Sequence, residues 1–204
     1  IKKLLPGHVL QWQAGKINIR PYWKLSFADQ IQNVSETEIA VELQERLRQA
    51  VKSQMLSDVP LGALLSGGID SSFIVALMSQ LTEQPIQTFS IGFEEQSYNE
   101  LNHAQTIANH FGTQHHPLVV RPNICDLFEQ VVSHFDEPFG DSSAIPTYLV
   151  SQLARSHVTV ALSGTGADEL FAGYERYWNI PLSRTYTHIP KFGRRIFENL
   201  LGRL

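Results

Sequence analysis

The sequence predicts an α/β domain built on a parallel sheet with helices on both faces. Three observations carry that expectation. From Pro60 onward, short apolar runs alternate with longer segments of helical periodicity, the pattern of strand–crossover–strand units. Two of those runs end in Gly- and Ser-rich turns, residues 66–72 and 163–169, that open into helices. The 204 residues are 43% apolar and 18% charged, an ordinary globular composition and length, sufficient for a core without disulfides.

The elements follow in order. Val9-Leu10-Gln11-Trp12 and Lys16-Ile17-Asn18-Ile19-Arg20 flank the turn signal Gln13-Ala14-Gly15, so a hairpin is expected. Pro21-Tyr22-Trp23 breaks that pattern, and residues 29–33 read as a polar linker. Ser35 and Glu38 have capping-box spacing. Ile39, Leu43, Leu47, Ala50 and Val51 then form one apolar helix face. Beyond Pro60, strands are expected at residues 61–65, 86–91, 115–120 and 158–162. Helices are expected at 73–81, at 99–111 closed by Gly112, at 123–135, at 144–155 and after the turn at 163–169. Crossovers between parallel strands should be right-handed.

Several function classes are excluded on composition. The net charge is −4, and no nucleic-acid footprint runs across the chain. In the tail, Arg184, Lys191, Arg194, Arg195 and Arg203 outnumber Glu198. With Phe192, Ile196, Leu200 and Leu201 at helical spacing, they read as the polar face of an amphipathic helix rather than a nucleic-acid patch. The single cysteine, Cys125, excludes an internal disulfide and points to a reducing, cytoplasmic setting. It falls inside a helical pattern and reads as a small buried hydrophobe rather than a nucleophile. No run of 18 apolar residues predicts a membrane span, and Ile1-Lys2-Lys3-Leu4-Leu5 stops at Pro6-Gly7, too short for a signal-peptide core. The chain opens at Ile1 and stops mid-pattern at Leu204, so an excerpt of a longer protein is expected.

The chemistry concentrates in the two turns. Each follows the carboxyl end of a strand, where open α/β sheets bind ligands. Gly67 and Gly68 let the backbone bring its N–H groups close to an anion, and the next helix aims its positive end at the same spot. Ser66, Ser71 and Ser72 add hydroxyls, a composition suited to phosphate oxygens. The lysine of a Walker A loop is absent, and the spacing is not G-x-G-x-x-G. Asp70 would repel a phosphate unless Mg²⁺ sits between them, and Asp168 can supply a second carboxylate. For either loop alone, a glycine turn without a ligand is the alternative. His115-His116 would need two or more further ligands to hold zinc, and none falls at recognisable spacing. His134, Asp136 and Glu137 resemble a catalytic cluster but read as a solvated helix end.

Ser66-Gly67-Gly68-Ile69-Asp70-Ser71-Ser72 resembles the SGGxDSS pyrophosphate loop of the N-type ATP pyrophosphatases. Asp58-Val59-Pro60-Leu61-Gly62-Ala63-Leu64-Leu65, running into it, is similar to the synthetase domain of glutamine-hydrolysing asparagine synthetases. So are the run from Leu162-Ser163-Gly164-Thr165-Gly166-Ala167-Asp168-Glu169 to Tyr174, and Asp136-Glu137-Pro138-Phe139 with residues 141–147. The resemblance covers the chain to about Tyr177. It implies a Rossmann-like fold of the adenine nucleotide alpha hydrolase type. Residues 1–25 would end a glutaminase domain and form a linker hairpin; residues 26–204 would be the synthetase domain, cut at its C-terminus. It further implies that ATP adenylates the side-chain carboxylate of L-aspartate, releasing pyrophosphate, and that ammonia from a glutaminase domain absent from this chain displaces AMP. Ser66, Gly67, Gly68, Asp70, Ser71 and Ser72 would bind pyrophosphate, Leu65 and Ile91 the nucleotide, and Ser163 and Gly164 would complete the ATP site. Asp70 and Asp168 would hold Mg²⁺, and residues 141–147 would lie towards the acceptor. No nucleic-acid or membrane partner is implied; a homodimer stays open.

One residue departs from the pattern. Thr165 stands where these synthetases usually carry the Glu of SGEG, which is thought to assist amine transfer. Two alternatives therefore remain: an AMP-forming synthetase with another carboxylate acceptor, or a non-catalytic nucleotide-binding domain.

Overall fold

The computed structural model describes residues 2–26, 28, 31–94, 100–120, 124–135, 140–174 and 177. The basic tail, Asp136 and Glu137 lie outside the described residues, as does the Cys125 side chain. The chain divides into two compact units, Ile1–Glu45 and Arg46–Leu204.

In the first unit, β1 (His8–Gln13) and β2 (Lys16–Pro21) pair antiparallel, from His8↔Pro21 to Gln13↔Lys16. Ala14 and Gly15 form the two-residue turn at φ 48 and 78. Positive φ at both positions matches the right-handed strand twist. The helix α1 (Glu36–Gln54) opens on the expected reciprocal cap. The Ser35 N–H donates to Glu38 Oε2 at 2.9 Å, and the Glu38 N–H donates back to Ser35 Oγ at 3.3 Å. These bonds to Ser35 hold the Glu38 carboxyl below the usual carboxylate range.

The second unit carries a four-stranded, all-parallel sheet ordered β5-β4-β3-β6. Its strands are β3 (Leu61–Leu64), β4 (Gln87–Phe93), β5 (Gln114–Val120) and β6 (Val160–Leu162). The helices are α2 (Ile69–Leu81), α3 (Leu101–Phe111), α4 (Ile124–His134), α5 (Ala144–Arg155) and α6 (Ala167–Phe171). Each β-α alternation read from the sequence is present. Pro117 is tolerated inside β5 because, among the described residues, β5 is an edge strand paired with β4 alone. Gly112 ends α3 in the left-handed conformation, φ 63, its N–H closing on Ala108 and Asn109 carbonyls.

The strand alternation divides the core. Ala63 and Leu65 join Val75, Leu77 and Met78 of α2 and Ala104 and Ala108 of α3 on one face, with Val51 of α1. Leu64 points the other way, to Phe89 and to Val150, Leu153 and Ala154 of α5. Helices therefore cover both faces.

Two strand limits differ from expectation by two residues, and three others by one. β4 continues through Gly92 to Phe93, since β5 offers Val119 and Val120 as partners. β6 begins only at Val160: the Val158 N–H is taken by the α5 terminus, bonding Ala154 O at 2.8 Å. Val158 is still buried, against Phe89.

Phe89 is 0% exposed at the centre of the α5 face. Phe89→Ala should cost about 3–5 kcal/mol, read as a lower urea midpoint; an unchanged midpoint would contradict the assigned core.

Candidate active site

The sheet order has a direct consequence. From β3 the chain builds outward through β4 and β5, then returns to add β6 on the other side of β3. Beside the carboxyl ends of β3 and β6 the winding reverses, the position where doubly wound sheets form a ligand crevice. Both Gly- and Ser-rich loops leave the sheet there.

The first loop is held largely by Ser71. Its hydroxyl accepts from the Ser66 N–H at 3.2 Å, lies 3.0 Å from Ser66 Oγ, and donates to Gly68 O at 3.3 Å. The Gly68 N–H donates to Ser66 Oγ at 3.2 Å. Gly67 adopts φ +88, and a Cβ there would lie 2.5 Å from Ala104 N and 2.7 Å from His103. The first turn of α3 thus braces the loop, and only glycine fits. Asp70 is half-buried in the first turn of α2. Ser72 Oγ is buried with no hydrogen-bond partner among the described residues.

The second loop is knit by its own hydroxyls. Ser163 Oγ lies 2.6 Å from Thr165 Oγ1 and accepts the Thr165 N–H at 3.0 Å. Gly166, φ 98, caps α6. A Cβ at Gly164 would lie 3.0 Å from Ser71 N and 3.1 Å from the Asp70 carbonyl carbon and Cβ. The two loops therefore touch at Gly164. Asp168 is not part of that contact; its carboxylate lies against Gly173, where a Cβ would meet Asp168 Oδ1 at 2.0 Å. The Tyr174 hydroxyl donates to Glu169 Oε1 at 2.6 Å, which pushes the phenol up to about 12 and lowers the Glu169 carboxyl.

Beside the loops is a cavity of about 230 Å³. Leu64, Leu65 and Ser66 line it from β3, and Phe89, Ser90, Ile91 and Phe93 from β4. Glu100, preceding α3, and Pro146, Thr147 and Val150 of α5 complete it. Leu65 presents surface rather than hydrogen bonds, since its N–H bonds Phe89 O at 2.8 Å and its carbonyl accepts from Ser90 Oγ. Leu65, Ser66 and Ile91 thus share one wall system. Pro146 and Thr147, expected towards the acceptor, line the same cavity. Ser90, Phe93 and Glu100 were not singled out from the sequence; their position around the carboxyl end of a central strand was the available signal.

Among the described residues, no three His, Cys, Asp or Glu side chains are grouped to hold a metal. His115 and His116 point to opposite faces of β5. His115 Nδ1 lies 2.9 Å from Thr88 Oγ1, which also lies 2.8 Å from Thr113 Oγ1. His116 stacks on Phe89 at 5.2 Å and meets His157 at 4.0 Å. His134 packs edge-on against Tyr148 at 5.6 Å.

A sequence profile of the family described as asparagine synthase matches residues 42–203. The chain belongs to that family. It is 39% identical over 193 residues to asparagine synthetase [glutamine-hydrolyzing] 1 of Bacillus subtilis, covering 93% of this chain and 30% of that protein. It is 40% identical over 200 residues to a putative asparagine synthetase [glutamine-hydrolyzing] 2 of Methanocaldococcus jannaschii, covering 97% of this chain and 39% of that one. This member of the asparagine synthase family therefore spans well under half the length of either relative. It is also 29% identical over 196 residues to the amidase chyE of Penicillium rubens, covering 87% of this chain and 29% of that protein.

Burial first, and a neighbouring imidazole second, hold His115 and His116 below the usual histidine range. The unfolded chain therefore takes up protons first as pH falls. The stability these residues support is full above about pH 6.5 and is lost as pH drops through the depressed folded values. The urea midpoint should fall between pH 7.5 and 5, and His116→Gln should flatten part of that fall. A wild-type midpoint that is flat over this range would contradict the assignment.

Proposed function

We propose that the protein carrying this chain is an ATP-dependent, amide-forming ligase of the asparagine synthetase type. The observation that carries the reading is the contact of the two loops at Gly164, beside the cavity lined by Leu65 and Ile91, in a chain of this family. The names of its relatives support the same chemistry.

In this reading the loop of Ser66, Gly67, Gly68, Ser71 and Ser72 holds the β- and γ-phosphates against the start of α2, with the Ser72 hydroxyl as a donor and the Ser71 hydroxyl as the brace that shapes the loop. The orphaned Ser72 hydroxyl suits an anionic acceptor, because an unpaired buried polar group is costly without a ligand. Leu65 and Ile91 flank the base, and Ser163 and Gly164 close the site. Asp70 and Asp168 are oxygen donors fit for Mg²⁺, which when bound would neutralise charge on the phosphate oxygens. A side-chain carboxylate oxygen of L-aspartate attacks the α-phosphorus, and pyrophosphate leaves. Ammonia nitrogen then attacks the acyl carbon, AMP leaves with the carboxyl oxygen, and the amine sheds a proton. The glutaminase supplying that ammonia would precede this chain, with residues 1–25 as its end and linker hairpin and residues 26–204 as the synthetase domain. A cytoplasmic enzyme fits the reading.

A second reading keeps adenylation and changes the acceptor. Thr165 favours it: its hydroxyl is bonded to Ser163 and carries no charge towards an amine. The similarity to an amidase supports the same variation.

ATP–pyrophosphate exchange with Mg²⁺, with and without L-aspartate, separates the readings in the protein that carries this chain. Aspartate-dependent exchange is expected. Exchange with a different carboxylic acid alone would select the second reading, and ATP binding with no exchange would leave a non-catalytic domain. Asp70→Asn should lower exchange by roughly 10²–10³-fold, the scale for losing one electrostatic group at a reacting centre, with circular dichroism unchanged; full exchange would remove the metal role. Thr165→Glu should raise asparagine formed per AMP, and no gain would trace the departure to other residues.

A further inference from the structure

We propose that Glu100 sets the sugar specificity of the site: its carboxylate accepts hydrogen bonds from the ribose hydroxyls of the bound nucleoside triphosphate. The inference rests on the ATP-site reading above and adds a residue to it.

Three observations converge on Glu100. Among the described residues lining the cavity, it is the sole ionisable one; the remainder are apolar or carry hydroxyls. Its position is set by the brace behind the phosphate loop. Glu100 O accepts the Ala104 N–H at 3.0 Å, and that same Ala104 nitrogen is the atom nearest a Cβ at Gly67, at 2.5 Å. Glu100 therefore begins the helical turn that presses on the loop, while also lining the mostly apolar cavity with Ile91 and Phe93. It lines the same cavity as Ser66, the first residue of the loop.

The chemistry then selects the ligand group. A carboxylate is repelled by phosphate and needs hydrogen-bond donors. A nucleoside triphosphate offers them at the sugar hydroxyls and at the base edge. The sugar is the part that joins a base in the cavity to phosphates on the loop, so the vicinal hydroxyls are the donors at this position. A carboxylate accepting from a ribose hydroxyl is the same solution that dinucleotide-binding α/β folds reach. Bonds to a charged acceptor are also stronger than neutral ones.

The test is titration of ATP, 2′-deoxy-ATP and 3′-deoxy-ATP into the protein that carries this chain, as wild type, Glu100→Ala, Glu100→Gln and Glu100→Asp. Wild type should favour ATP over at least one deoxy form by roughly ten- to a hundredfold, the scale of hydrogen bonds to a charged group. Glu100→Ala should weaken ATP while leaving that deoxy form nearly unchanged, so that the preference collapses to within about threefold. Glu100→Asp should restore part of it. Glu100→Gln keeps an acceptor oxygen and the side-chain size, and should retain a reduced preference if the alanine variant does not fold. An unchanged ATP-to-deoxy ratio in Glu100→Ala overturns the proposal, and so does equal weakening of all three ligands, which would mark a structural role. A change confined to the preference for ATP over GTP would also overturn it, by reassigning Glu100 to the base. If wild type binds no nucleotide, the ATP-site reading itself falls, a result distinct from ATP binding with no sugar preference.

Discussion

The parallel pairing of β3 with β6, from Leu61↔Val160 to Ala63↔Leu162, is the constraint on which the site depends. Each loop alone is a short turn between a strand and a helix. Only when β6 lies beside β3 do their carboxyl ends face one crevice. Two glycines permit the closeness this requires. At Gly62 a Cβ would meet Gln87 O and the Phe89 ring, both at 2.7 Å, so the absent side chain lets Phe89 close over the α5 face. At Gly164 the absent side chain lets the second loop rest on Asp70 and Ser71. The same pairing thus sets both core packing and loop contact.

The first loop is organised by hydrogen bonds and packing within the chain. Ser71 spends its hydroxyl on Ser66 and Gly68, and Gly67 is pressed against α3. Such bracing fixes the loop backbone, which would lower the ordering cost of capturing an anion in the proposed site. Neighbouring serines therefore have different tasks. Ser71 is structural to the loop, while Ser72 has a hydroxyl with no partner among the described residues. Their identical chemistry conceals that division in the sequence; it appears only when hydrogen-bond partners are known.

Much of the fold was legible because its signals are local. The Ser35–Glu38 cap, the Gly112 stop and the Ala14-Gly15 turn each depend on a few consecutive residues. Apolar periodicity likewise marked the strands and the longer helices, but α2 begins at Ile69 and α6 at Ala167, inside the segments read as turns. The misjudged limits arose where distant groups compete for backbone hydrogen bonds. Val158 has the composition of a strand residue, but the end of α5 takes its N–H. Gly92 resembles a strand terminator, but β5 supplies partners on both sides of it.

By itself, the sequence determined the α/β alternation, the two loops and their residue types, since helical periodicity, glycine freedom and hydroxyl content are properties of short segments. It also carried the family relationship, through motifs in a defined order. Tertiary structure alone decided that β6 joins β3 rather than the β5 edge, and that Pro146, Thr147 and Glu100 share a cavity with Leu65 and Ile91. The physical reason is that strand order is set by pairing between segments far apart in the chain. No local pattern encodes which neighbour a strand will choose, and every distance within the site follows from that choice.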